Sequence, residues 1–136
     1  MTSNPPPDPE RRELGVQTYM RVYGEDMPLM PAGQSDFFDI MMEDLFGTVW
    51  SRPALSVPLR RLLVIGVLAQ QKRFDALELQ FKRQLAEGEL DVTQVREVVL
   101  QLIPYVGAPS ASAIWRAGEN AVSQYEQVGR ESNSVP

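Results

Sequence analysis

Phe74–Val106 reads FDALELQFKRQLAEGELDVTQVREVVLQLIPYV, and its apolar residues fall on two helical stripes separated by a single stop. Phe74, Leu77, Phe81 and Leu85 recur at helical spacing, and Gly88 ends that run. Thr93 is placed to cap the next helix, where Val95, Val98, Val99, Leu102, Ile103 and Val106 form a second stripe. Pro104 removes one amide donor and is expected to kink the last turn, and Gly107 closes it. The stretch predicts a helical hairpin spanning about Phe74–Ala86 and Thr93–Val106.

The same periodicity continues on both sides. Downstream, Pro109 opens a helix expected to run to about Gln127, with Ile114, Trp115, Ala121, Val122 and Tyr125. Upstream, Ser56 caps a helix that is apolar nearly all round from Leu59 to Ala69, which predicts burial on most faces, a neighbouring subunit supplying part of the cover. Gly66 would permit close approach of another helix there, and Arg61 reads as a surface residue. Ser35 caps a helix to about Phe46, acidic in its first turn, with Phe37, Ile40, Met41, Leu45 and Phe46 expected inward. Asp8, Pro9 and Gly24 bound a first helix, Pro9 to Tyr23. Nothing alternates like a strand. The fold class is all-α with about six helices: residues 1–8 a disordered segment, 9–128 the helical domain, 129–136 a flexible tail.

Composition narrows the function. Lys and Arg number 13 against 18 Asp and Glu, a net charge of −5, where a nucleic-acid binder or anionic-membrane docker would show a basic surface. The longest apolar run, Leu62–Ala69, is too short to span a bilayer. With no signal-like N-terminus, a cytoplasmic location is expected. The chain has no Cys and no His. Thiolate, disulfide and imidazole chemistry within it are thereby excluded, leaving carboxylates, Tyr, Lys or bound water for any proton transfer. No glycine loop has phosphate-binding spacing and no carboxylate cluster has metal-ligand spacing, so no cofactor is expected.

Several segments resemble the carboxymuconolactone decarboxylase family, whose helical fold is shared with the alkylhydroperoxidase D proteins. They are Phe46-Gly47-Thr48-Val49-Trp50-Ser51-Arg52-Pro53, the basic start at Arg60, Ala86-Glu87-Gly88, Thr93-Gln94-Val95-Arg96-Glu97-Val98 and Tyr105-Val106-Gly107-Ala108-Pro109. Gly15 and Val22-Tyr23-Gly24 match more weakly. The resemblance implies a small-molecule substrate, possibly anionic, and a homo-oligomer, trimer or hexamer. Family decarboxylases carry a Glu and a His four residues apart on the fourth helix, a spacing that stacks both on one face. Here those positions hold Ala76 and Gln80. Asp75 and Glu78 point roughly 100° and 160° away from them and do not replace the pair. The peroxidase branch uses Cys, which is absent.

The candidate catalytic residues are Gln80, Arg52 and Arg60. Gln80 stands at the histidine position, either orienting a substrate carbonyl or hydroxyl or serving as an ordinary helix Gln. Arg52 and Arg60 match basic family positions, and either clamp a carboxylate or enolate or pair with Glu43, Asp44 or another subunit. Trp50, Tyr105 and Tyr23 are the candidate substrate contacts: Trp50 as core or pocket wall, Tyr105 as phenolic donor or packed ring, and Tyr23 with Tyr19 as a lid. The resemblance implies a cofactor-independent lyase or isomerase acting on a lactone, enol or cyclic acid by decarboxylation, rearrangement or cyclisation. The alternative is an inactive ligand-binding or structural member, alone or within a mixed oligomer.

Overall fold

A computed structural model describes residues 8–134; the expectations for the first seven and last two residues lie outside them. Six α-helices account for the fold, with no strand among the described residues. They are α1 (Pro9–Tyr23), α2 (Asp36–Ile40), α3 (Val57–Gln70), α4 (Phe74–Ala86), α5 (Val92–Val106) and α6 (Ala111–Asn133). The chain packs as two compact units, one up to Arg60 and the other from Arg61.

In the first unit, the Asp8 carboxylate accepts from the amides of Glu10 and Arg11, and Gly24 ends α1 at φ 104°. Ser35 caps α2 as expected. The helix does not stop at Phe46, however: Met41–Val49 continues it with wider π-type turns. The inward face also corrects the expected stripe in part, because Asp39, Met42 and Phe46 share one face at ordinary helical spacing and only Phe46 belongs to both sets. Phe37 and Ile40 are exposed, while Met42, Phe46 and Gly47 are buried. The segment crosses α1 at a pair of glycines. A Cβ on Gly15 would lie 1.7 Å from the Met42 carbonyl oxygen, and one on Gly47 would lie 2.4 Å from that of Arg11. Only glycine permits this contact.

Arg12 fastens the intervening loop. Its guanidinium pairs with Asp39 and donates to the Met30 carbonyl at 2.8 Å, while Asp39 also accepts from the Gly33 amide at 3.0 Å.

In the second unit, α4 supplies Leu77, Phe81 and Leu85 to a core shared with Ile65 and Ala69 of α3, Val95 and Val99 of α5, and Ile114, Ala117, Ala121 and Val122 of α6. The hairpin forms as expected, although Asp91 rather than Thr93 caps α5. Asp91 accepts from the Gln94 amide while the Gln94 side chain accepts from the Asp91 amide, a reciprocal box that Thr93 cannot make from inside the helix. Pro104 sits in the last turn without ending α5, which closes at Gly107. A 3₁₀ turn, Ala108–Ser110, leads into α6. That helix passes through Gly129 to Asn133 instead of ending near Gln127, its terminal carbonyls at Arg130 and Glu131 taken by the Ser134 amide.

Helix α3 departs most from expectation. Leu59, Leu63 and Val67, four residues apart, are 51%, 64% and 53% exposed, whereas Arg61 is fully buried on the face shared by Ile65 and Ala69. A Cβ added at Gly66 would meet nothing within 4 Å, so among the described residues no other helix of its own unit approaches it closely.

Candidate active site

The buried face of α4 is not wholly apolar. Gln80 and Gln84, one turn apart, are 2% and 1% exposed beside Leu77, Phe81 and Leu85. Such a placement requires polar partners, because leaving a buried amide unsatisfied costs about 1–3 kcal/mol. Gln80 has one: its Oε1 accepts from Arg61 Nη1 at 2.6 Å. The same guanidinium grips Glu89 with two donors, Nε to Oε2 at 2.7 Å and Nη2 to Oε1 at 3.2 Å. A planar fork of N–H groups suits two carboxylate oxygens on one side and an amide oxygen on the other; Lys has no such shape.

Local structure delivers each member. Gly88, at φ 66°, turns the chain after α4, and the Glu89 amide bonds back to the Gln84 carbonyl at 2.9 Å. That turn sets the Glu89 carboxylate against Arg61, where its side chain is 5% exposed. With the Gln80 oxygen held by a cation, its Nε2 is left as the donor end of the side chain. Neither Nε2 nor Oε1 of Gln84 has a hydrogen-bond partner. The reading of Arg61 as a surface residue is therefore overturned, because the stripe it shares with Ile65 and Ala69 is the buried one.

In the first unit, Trp50 and Arg52 line a hollow of about 270 Å³ together with Leu14, Thr18, Arg21 and Val57. Trp50 is 7% exposed and stacks on Phe46 at 6.3 Å, and Phe46 meets Tyr19 and Tyr23 edge-on. Burial raises the Tyr19 hydroxyl above its ordinary pKa. Arg60 donates to two main-chain carbonyls, Leu55 at 2.9 Å and Arg52 at 3.1 Å, and so braces the loop that carries Arg52. Glu43 and Asp44, weighed as partners of Arg52 and Arg60, pair with Arg11 instead.

Trp50, Arg52 and Tyr23 thus belong to one aromatic-walled region of the first unit, while Gln80 joins Arg61 and Glu89 in the second. Tyr105, also in the second unit, lies in the last turn of α5 at 81% exposure and takes no part in that hydrogen-bonded cluster. Glu78 does not substitute for the missing acid. It accepts from Asn120 Nδ2 at 2.7 Å and pairs with Lys82 Nζ at 2.8 Å. Burial alone would raise its pKa, but these bonds and the Lys82 charge outweigh that and lower it. Among the described residues no group of carboxylates is arranged to hold a metal ion, and no helix is long and apolar enough to cross a membrane.

An all-α chain with a buried, polar-faced fourth helix is the class of protein these features define. The chain belongs to the carboxymuconolactone decarboxylase family, whose profile matches residues 35–120. It is 26% identical over 117 residues to 4-carboxymuconolactone decarboxylase of Acinetobacter baylyi, covering 82% of this chain and 87% of that protein. It is 35% identical over 72 residues to nitrosuccinic acid decarboxylase of Metarhizium robertsii, covering 53% of this chain. That match spans only half the length of the fungal protein. No solved structure matches significantly.

Proposed function

We propose that the chain is a cofactor-independent enzyme that removes carbon dioxide from a small oxygenated acid, with the Gln80 amide as the group that meets developing negative charge. The observation that carries this reading is the 2.6 Å hydrogen bond from Arg61 Nη1 to Gln80 Oε1. A cation on the oxygen end of a carboxamide polarises its N–H groups, making them stronger donors in a dry site. Loss of carbon dioxide breaks a carbon–carbon bond and leaves its electron pair on carbon, delocalised onto oxygen when a carbonyl or nitro group is adjacent. A preorganised donor on that oxygen stabilises the transition state. Both relatives are named for acids of this kind. With no His in the chain, the proton that completes the product at carbon comes from a carboxylic acid, Tyr, Lys or bound water. In the first unit, Arg52 beside Trp50 offers a guanidinium to a carboxylate. Arg60 acts as a positioning residue, and Tyr23 reinforces the aromatic wall.

The test is carbon dioxide release from nitrosuccinate and from 4-carboxymuconolactone by the purified chain. Turnover of nitrosuccinate is expected, with 4-carboxymuconolactone slow for want of a His as proton donor. Silence on both overturns the reading, and 4-carboxymuconolactone turnover equal to that of a His-bearing relative overturns the role given to Gln80.

One observation favours a second reading, an inactive binding or structural member: Ala76 and Gln80 stand where the resemblance places the Glu–His pair. It predicts ligand binding without turnover. We also propose that copies of the chain associate through the exposed Leu59–Leu63–Val67 stripe of α3. Mass measurement in solution, with Leu63→Lys expected to yield monomers, checks this.

A further inference from the structure

Gln84 lies one helical turn beyond Gln80, so the two carboxamides share a face of α4. Its main-chain carbonyl holds the Glu89 amide, Glu89 holds Arg61, and Arg61 holds Gln80. The four residues form one connected cluster in which a single side chain is left over. Gln84 is 1% exposed, and both ends of its amide lack a partner. For folding alone, a Met of similar volume would serve better there, because it strands no polar atoms.

A free carboxamide presents an N–H donor and a C=O acceptor side by side. The ligand that satisfies both carries an acceptor next to a donor. A carboxylate alone only accepts, whereas a 2-hydroxy acid, or the corresponding enol acid, has a carboxylate oxygen to take the Nε2 hydrogen and a neighbouring hydroxyl to donate to Oε1. We infer that Gln84 is a specificity-determining residue that selects a small carboxylic acid bearing a hydroxyl on the carbon next to the carboxyl. This rests on the functional reading of the Gln80 cluster.

The experiment compares malate with succinate, which differ by that hydroxyl, on the wild-type chain and on Gln84→Met, using titration calorimetry. Wild type is expected to bind malate about fivefold tighter, the effect of one net hydrogen bond, and Gln84→Met to bind the two alike. The ligand-free variant, its helical circular dichroism unchanged, is expected to melt about 2–6 °C higher. A wild type that does not prefer malate, a variant that keeps the preference, or a variant that melts lower overturns the inference. Carbon dioxide release from nitrosuccinate and 4-carboxymuconolactone is assayed in parallel. Activity in a wild type that shows no malate preference sinks the inference alone, whereas silence on both substrates sinks the functional reading beneath it.

Discussion

Arg61 and Glu89 form a buried, two-point ion pair within the second unit, 2.7 Å at its shorter contact, with side chains 0% and 5% exposed. A charge pair so fully removed from water depends on both partners. Arg61→Met is expected to cost about 3–5 kcal/mol, because it strands the Glu89 carboxylate. Arg61→Met with Glu89→Met should recover most of that loss. Urea denaturation of the two single variants and the double gives the coupling, and strictly additive losses would contradict a mutual dependence.

Removing the polarised amide tests the chemistry. Gln80→Leu is expected to lower kcat on nitrosuccinate about 10²–10³-fold, the range seen when one preorganised donor is lost. An unchanged kcat with a raised KM would assign Gln80 to ground-state binding instead.

Two glycines on helices predict opposite outcomes. Gly15→Ala drives a Cβ into the Met42 carbonyl, where only backbone movement can relieve the overlap, so the variant should be severely destabilised or insoluble. Gly66→Ala meets open space and should stabilise the chain by about 0.5–1 kcal/mol through helix propensity. Thermal melting of the two variants side by side decides it.

Glu78 links α4 to α6, and its lowered pKa fixes the sign of a pH effect. A carboxyl depressed in the folded state contributes stability above its unfolded pKa, and that contribution fades as pH falls through the folded value. Glu78→Gln should therefore lower stability near neutrality, where the carboxylate contributes fully, and flatten the loss below the ordinary Glu range so that variant and wild type converge in acid, as denaturation across a pH series would show. An unaltered acid limb would remove the carboxylate from that role.

The hairpin and the helix starts at Asp8, Ser35 and Ser56 were legible because spacing and caps act locally. The candidate cluster was only half legible. Gln80 stood out through the family resemblance, but Arg61 looked like surface because charge outweighed phase. Counting by fours from Ile65 and Ala69 leads back to Arg61, whereas Leu59, Leu63 and Val67 occupy the other stripe. Which stripe is buried depends on the partner helices, and sequence periodicity does not contain that information. Glu89 was invisible for another reason, since it becomes a partner only through the turn at Gly88. Gln84 gave no signal, its burial being a property of packing alone. The inward residues of the second helix differ from the apolar stripe because its buried face carries Asp39, held by Arg12, beside Met42 and Phe46, while Phe37 and Ile40 face outward.

Those wider turns hold more residues per revolution than an α-helix, closing at the Trp50 amide on the Leu45 carbonyl, 2.8 Å away. Deleting one residue between Ile40 and Trp50 would let the segment rewind as an ordinary α-helix, whose roughly 100° per residue makes up most of the rotation that the lost residue removes. Trp50 would then return close to its stack with Phe46. Single-residue length variation is thus absorbed by the wider turns, and chains that differ there by one position should keep the same aromatic wall.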